Sequence, residues 1–178
     1  LILEVTKEQL LRLASIPAAA NLYYLCAGFE LTQENIAILK QFPKLVNLGC
    51  RAKAADDETL VLLSRTLPKL EGLYLQELGK KGRVGPNGLA AITRLPLRTL
   101  NLERASGIGQ EFARQLAAMP DLTELRLNGA DAGDDFLIHI AKLQKLERLV
   151  LSNSMVTENG LAHLRESTSL RDLEIEHL

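Results

Sequence analysis

Two histidines in the second half of the chain are the residues whose type and spacing come nearest to metal chemistry. His139 and His163 lie 24 residues apart, and each follows a leucine by two positions. Stacked imidazoles could share a metal ion, but zinc sites take three or four protein ligands. Asp135 and Glu166 are near in sequence and do not complete such a set. We therefore expect both histidines to be solvated residues of helix surfaces, and we predict no metal site.

The remaining reactive side chains do not form a catalytic set. A nucleophilic role for Cys26 would need a neighbouring base, and none is evident. The acidic pairs Asp56–Asp57 and Asp134–Asp135 stand where helices are expected to start, and helix capping accounts for them. The segment SGIGQEF (106–112) lacks the third glycine of a dinucleotide-binding loop. We predict a non-catalytic protein without a cofactor.

Composition and charge exclude several functional classes. Of the 178 residues, 47% are hydrophobic and only 4% aromatic, so the core must be mainly aliphatic. The 21 basic and 22 acidic residues give a formal net charge of −1. This balance gives no electrostatic reason to expect a nucleic-acid or membrane partner. No run reaches the roughly 20 apolar residues of a membrane span. The two cysteines favour a reducing, cytoplasmic location, and secretion as an effector is the alternative.

The pattern Leu-x-x-Leu-x-Leu recurs along most of the chain and predicts one short strand per copy. Its successive starts are 23, 25, 27, 25, 24 and 24 residues apart. A single copy is too short to bury its own leucines, so neighbouring copies must stack. At the first, looser copy a register starting at Ala20 is also open. The seven starts, some with Cys, Ala or Ile in place of the third Leu, are Leu22, Leu45, Leu70, Leu97, Leu122, Leu146 and Leu170.

The residues after each leucine pattern predict a short helix and a return turn. VTENGLAHL, from Val156, has relatives in LTQENIAIL, from Leu31, and VGPNGLAAI, from Val84. Pro86 suits a first helical position, and prolines one or two residues ahead of four leucine starts would end the preceding helix. The expected N-caps are Thr6, Thr32, Asp56, Asp134 and Thr157.

These copies resemble the repeats of leucine-rich-repeat proteins over almost the whole chain. VTENGLAHL is similar to the I-T-D-x-G-L segment of repeats of roughly 24 to 26 residues. Such repeats occur in bacterial leucine-rich proteins and in the F-box-associated, ribonuclease-inhibitor-like class. The resemblance implies an α/β fold, a right-handed solenoid forming a curved horseshoe segment. Its parallel sheet would line the concave face, with short helices on the convex face. We expect a single domain over residues 1–178 with about six to seven repeats, as part of a longer chain.

Strand alternation predicts which side chains lie on the concave face. Strands ~4.8 Å apart and helices ~8–10 Å apart bend the stack toward its strands, so seven strands give an inner face roughly 29 Å long. Because the leucines point into the core, the intervening residues point outward. This alternation also places Gly28, in the row of Arg51, on the outward side, together with Val150 and Ser152. It places Cys50 on the inward side. The predicted partner-binding residues are Tyr24, Asn47, Arg51, Tyr74, Gln76, Asn101, Glu103, Glu124, Arg126, Asn128 and Arg148.

The resemblance implies a protein–protein interaction module that binds its partner on the concave face. Tyr and Arg are favoured in such interfaces. The alternative for the face is a solvated surface, with the contact on an edge or loop. Lys80, Lys81 and Arg83 in the longest unit could contact an acidic partner, although a tolerated insertion is the favoured interpretation. The alternative for the whole protein is the recognition arm of a larger enzyme or effector, such as a ubiquitin-ligase component, with catalysis outside this chain.

Overall fold

Strands and helices alternate along the chain, as the repeats predict. The computed structural model of the protein describes residues 5–79, 84–106 and 109–176. Two 3₁₀ helices cover Pro17–Asn21 and Ala162–Glu166. The strands are β1 (Tyr24–Glu30), β2 (Asn47–Arg51), β3 (Gly72–Gln76), β4 (Thr99–Glu103), β5 (Glu124–Arg126), β6 (Arg148–Val150) and β7 (Asp172–Glu174). The helices are α1 (Lys7–Ala14), α2 (Gln33–Leu39), α3 (Asp57–Thr66), α4 (Pro86–Thr93), α5 (Gln110–Leu116), α6 (Asp134–Ile140) and α7 (Glu158–Leu161).

The seven strands form one parallel sheet in the order of the chain, β1 to β7. Equivalent leucines of successive repeats are direct partners, for example Leu48 with Leu73 and Leu73 with Leu100. At the first copy Leu25 pairs with Leu48, which confirms the register starting at Leu22 over the one starting at Ala20. Parallel neighbours need a crossover connection, and each repeat supplies one with its short helix. The predicted leucine-rich-repeat fold is confirmed.

The core runs through the stack between the sheet and the helices. The leucines at the middle position of the pattern are fully buried in β2 through β6. Fully burying one such side chain stabilises the fold by about 1.5–3 kcal/mol. Phe29, Phe42, Phe112 and Phe136 fill the larger spaces of the same core. In β7 the equivalent Leu173 remains 42% exposed, because β6 is its only neighbour in the described sheet.

The helix starts follow the sequence prediction except at α6. Asp134 does not cap α6: Gly133 holds the N-cap position, and Asp134 lies in the first turn. Its carboxylate instead accepts hydrogen bonds from the backbone N–H of Thr157 at 2.7 Å and from the Thr157 hydroxyl at 2.8 Å. Asp134 is therefore a link to the next repeat. Pro86 stands in the first turn of α4, as predicted. The confirmed N-caps are Thr6, Thr32, Asp56 and Thr157.

A left-handed residue follows the strand in four successive repeats. Glu77, Arg104, Gly129 and Asn153 have φ between 53° and 65°. The backbone N–H of each donates to a carbonyl of the next repeat, as from Glu77 to Glu103 at 2.7 Å. This turn extends the pairing beyond the strands. Only glycine, and to a lesser degree asparagine, adopts this conformation readily. A glutamate at position 77 and an arginine at position 104 therefore do not indicate a left-handed turn in the sequence.

Candidate protein-binding face

The eleven predicted partner-binding residues lie together on or directly beside the sheet, on the side opposite the buried leucines. We call this side the sheet face. Tyr24 is exposed, and the other ten residues are half-buried. In-register pairing brings them into rows, such as Arg51–Gln76–Glu103 across β2, β3 and β4. The structure thus gives these residues one continuous surface.

Three expectations about the sheet face are wrong. Gly28, expected to face outward in the row of Arg51, is buried. An irregularity in β1 after Cys26 brings Glu30 opposite Arg51 instead. Val150 is buried. Its neighbour Arg148 and its partner Glu174 form an ion pair at 3.1 Å, so long charged side chains stand on two sides of the isopropyl group.

Ser152 is the third exception, since it is also buried and its hydroxyl has no hydrogen-bond partner in the described structure.

The two cysteines follow the predicted alternation. Cys26 is exposed and Cys50 is buried in the adjacent strand. Burial, the largest cause, and the charge of Glu30 raise the pKa of Cys50. Its thiol therefore stays protonated at neutral pH and serves as a small apolar group in the core.

Two tyrosines dominate the part of the sheet face near the N-terminus. The rings of Tyr24 and Tyr74 meet edge to face, with centroids 6.3 Å apart. Desolvation, followed by hydrogen bonding with Cys26, raises the pKa of Tyr24, so the phenol is neutral at physiological pH. Gly49 pairs with Cys26 on one side and with Tyr74 on the other, and a Cβ at Gly49 would stand 2.6 Å from the sulfur of Cys26. Glycine is needed at this position to leave room for the cysteine.

A small notch opens beside Tyr74. Its volume is about 30 Å³, and its lining includes Cys26, Gly49, Asn101 and Glu103. The side-chain oxygen of Asn101 is buried and has no hydrogen-bond partner in the described structure. Glu103 is held by the amide of Gln76 at 3.3 Å and lies 3.5 Å from Arg104. The notch therefore combines an aromatic wall, an unused acceptor and a carboxylate.

Ion pairs organise the part of the sheet face near the C-terminus. Arg148 lies between three carboxylates: Glu124 at 3.7 Å, Glu174 at 3.1 Å, and Asp172. Arg126 binds Glu124 at 2.6 Å. Partly exposed ion pairs of this kind are each worth only about 0–1 kcal/mol. Their main effect is to fix the directions of both guanidinium groups.

Charge is distributed unevenly between the sheet face and one edge of the stack. On and directly beside the sheet face, seven carboxylates oppose four guanidinium groups, a net charge of −3: Glu30, Glu77, Glu103, Glu124, Asp172, Glu174 and Glu176 against Arg51, Arg104, Arg126 and Arg148. One edge of the stack, which we call the basic edge, has the opposite sign. It comprises the residues from five positions before to one position after each leucine start. Ten exposed basic residues there oppose four acids, a net charge of +6. The basic residues are Lys40, Lys44, Arg65, Lys69, Arg94, Arg98, Lys142, Lys145, Arg165 and Arg171, and the acids are Glu71, Asp121, Glu147 and Glu166.

The parallel arrangement of the helices explains part of this separation. Acidic residues favour helix N-termini and basic residues favour helix C-termini. Since all repeats run in the same direction, the C-terminal ends of the helices fall on one edge. Because the charges of the whole chain sum to only −1, the net charge does not indicate either region. The sequence feature that could have located both regions is the sign of the charges at equivalent positions of successive repeats.

The two histidines lie in α6 and in the second 3₁₀ helix. His163 is exposed and His139 is half-buried, and Lys142 and Arg165 share a surface pocket with His163. Within residues 5–79, 84–106 and 109–176, no group of three potential metal ligands occurs. Helices in these ranges are also too short or too polar to cross a membrane. Lys80, Lys81 and Arg83 lie outside the described residues.

Comparisons with known proteins give distant similarities. No protein-family model matches the sequence. The chain is 25% identical over 161 residues to "Putative RNA-binding protein EEED8.10" from Caenorhabditis elegans; the match covers 88% of this chain and only 22% of that protein. An internalin (inlF) from Listeria monocytogenes superposes with a TM-score of 0.49 at 16% identity, over 90% of this chain and 52% of the internalin. For internalin C2 of the same species the values are 0.45, 15%, 96% and 84%.

The class of the protein follows from its own repeats. Leucines recurring every 23 to 27 residues are direct partners in a seven-stranded parallel sheet built in chain order. The chain therefore has the leucine-rich-repeat fold.

Proposed function

We propose that the protein is a non-catalytic interaction module that binds another protein on its sheet face. The observation that carries the proposal is the contact between the exposed Tyr24 ring and the half-buried Tyr74 ring, on a surface shared with Arg51, Arg126 and Arg148. Tyrosine and arginine are the residues most often responsible for binding energy at protein interfaces. Ion pairs already hold the side chains of Arg126 and Arg148, which reduces the conformational entropy lost on binding.

The role in the cell can take two forms. A free-standing adaptor in the cytoplasm would need only the sheet face. The recognition arm of a larger enzyme or effector, such as a ubiquitin-ligase component, would use the same face to bind a substrate, with its chemistry outside these residues. The complete open reading frame distinguishes the two, because a catalytic domain would be visible in its sequence.

Affinity capture with matched variants tests the use of the sheet face. The test variant is Tyr74→Ala with Arg126→Glu, and the control is Tyr23→Ala with Arg114→Glu. Tyr23 is exposed before β1, and Arg114 is exposed on α5. We expect proteins captured by both the wild type and the control to be lost from the test variant. Equal recovery by all three folded proteins would contradict the proposal.

A second candidate function is nucleic-acid binding at the basic edge. Its net charge of +6 favours polyanions, whereas the sheet face with −3 does not. The C. elegans relative is named as RNA-binding, and the present chain corresponds to about a fifth of it. Of the ten basic residues, Arg98 and Lys145 are in ion pairs, with Glu71 and Asp121.

Titration with a single-stranded RNA oligonucleotide at several salt concentrations tests this second candidate. Phosphate contacts make log K fall with log salt by about 0.7 per phosphate. Lys69→Glu with Arg171→Glu should weaken binding and flatten this dependence. Lys53→Glu with Arg114→Glu, the same charge change away from the basic edge, should have little effect. Equal losses in both variants, or no binding by the wild type, would exclude this function.

A further inference from the structure

We propose that the notch beside Tyr74 binds the side chain of an arginine presented by the protein partner. This inference rests on the proposed function and adds the chemistry of the bound segment. The notch, defined by Cys26, Gly49, Tyr74, Asn101 and Glu103, holds about 30 Å³. That is room for about two water molecules and an order of magnitude below the roughly 300–1,000 Å³ of small-molecule sites. Its size therefore suits the tip of one protein side chain.

The groups around the notch select a cation that donates hydrogen bonds. The Asn101 side-chain oxygen is buried without a partner in the described structure, and a buried acceptor left unsatisfied is costly. The Glu103 carboxylate lies at the rim, with its side chain 34% exposed. Arg104 lies 3.5 Å from one of its oxygens and the Gln76 amide 3.3 Å from the other, and each carboxylate oxygen can accept a further hydrogen bond from a guest. The ring of Tyr74 forms one wall, and cations are attracted to tyrosine faces. One guest can use all three groups if it is planar, positively charged and carries several N–H donors.

Arginine meets these requirements better than lysine. Its guanidinium group has five donors in a fixed plane, stacks on aromatic rings and pairs with carboxylates in a fork geometry. The surrounding charge favours the same guest, because the sheet face carries a net charge of −3. This negative field would also favour further basic residues beside the arginine. The expected partner segment is therefore extended, basic and anchored by one arginine.

Three peptides that differ only in the guest residue provide the probes. Each has twelve residues of glycine and serine with arginine, lysine or citrulline at three positions, where citrulline is the neutral isostere of arginine. Binding to the ¹⁵N-labelled protein is followed by NMR titration, which detects weak complexes. We expect the arginine peptide to bind at least tenfold more tightly than the citrulline peptide. The largest shifts should occur at the backbone amides of Gly49, Tyr74 and Asn101.

Two charge-matched variants separate the notch from the general field of the sheet face. Glu103→Gln removes a carboxylate at the notch, and Glu176→Gln removes one at the far end of the sheet face. We expect Glu103→Gln to lower affinity for the arginine peptide about tenfold and Glu176→Gln to lower it less than twofold. Similar losses in both variants, or equal binding of the arginine and citrulline peptides, would overturn the notch assignment.

The outcome is distinguishable from failure of the proposed function. If the capture experiment shows that the sheet face binds proteins while the peptides show no arginine preference, the notch assignment alone is overturned. If the test variant Tyr74→Ala with Arg126→Glu captures the same proteins as the wild type, the proposed function itself has failed. Arginine-selective shifts centred on β2, β3 and β4 support both.

Discussion

Replacement of Leu100 by alanine is expected to destabilise the protein far more than the same replacement of Leu173. The two residues occupy the same position of the repeat, and each pairs with equivalent leucines in the sheet. Leu100 is fully buried between Leu73 and Leu125. Leu173 pairs with Leu149 and remains 42% exposed. The pair of variants therefore isolates the effect of stacking on both sides.

The expected magnitudes follow from burial. Leucine to alanine removes three carbon groups, worth about 2.4 kcal/mol when fully buried at 0.8 kcal/mol each. At Leu100 the cavity left behind raises the loss to about 3–4 kcal/mol, within the usual range for buried leucines. At Leu173 about three fifths of that transfer energy is at stake, and an open site leaves no closed cavity. The loss there should be about 1–1.5 kcal/mol.

Urea unfolding followed by circular dichroism at 222 nm measures this difference. The variants should share the denaturant dependence of the wild type, so that the midpoints report stability. The free energies of unfolding of the two variants should differ by about 2 kcal/mol. Leu125→Ala is the control, because Leu125 is also fully buried and should behave like Leu100→Ala. Losses at Leu100 and Leu173 that agree within about 0.5 kcal/mol would refute the stacking argument.

Three further predictions concern contacts between neighbouring repeats. Gly49→Ala should destabilise the protein by about 1–3 kcal/mol, because the new Cβ meets the sulfur of Cys26; urea unfolding should show most of this loss recovered by Cys26→Ala, and no recovery would contradict the steric explanation. With an excess of a thiol reagent at pH 8, Cys26 should react within the native protein and Cys50 only on unfolding, because burial raises the pKa of Cys50; two equally fast thiols would contradict this. Hydrogen bonds from the backbone N–H and the hydroxyl of Thr157 lower the pKa of Asp134 from its usual value. A lowered carboxyl pKa stabilises the fold above the unfolded value and loses this effect as pH falls through the folded value. The destabilisation by Asp134→Ala, measured as unfolding free energy against pH, should therefore be present above pH 4 and vanish at lower pH; a pH-independent difference would contradict it.

The sequence predicted the features that depend on periodicity within one chain segment. Leucine spacing located the seven strands and their register, because a misplaced register would expose the leucines of a whole strand. Thr6, Thr32 and Asp56 identified helix starts, because a short polar side chain at an N-cap binds the first free N–H groups. The eleven predicted surface residues lie on the sheet face for the same reason.

Other features of the site depend on contacts between repeats, and the sequence alone did not predict them. The irregularity in β1 moved Glu30 into the row of Arg51. Val150 is buried although its position alternates outward, since its charged neighbours pair with each other. Asp134 binds the next repeat where local spacing predicted a cap. The cases of Val150 and Asp134 depend on where a long or polar side chain of the next repeat is directed, which periodicity does not encode.

Photo-crosslinking from the sheet face tests the central claim most directly. A benzophenone amino acid replaces Tyr74 in one protein and Arg114, on the helix side, in a second. With cell extract as the source of partners, we predict that position 74 yields discrete protein adducts that excess unlabelled wild-type protein competes away. Position 114 should yield none of these adducts. Adducts formed only from position 114, or equally from both positions, would contradict binding at the sheet face.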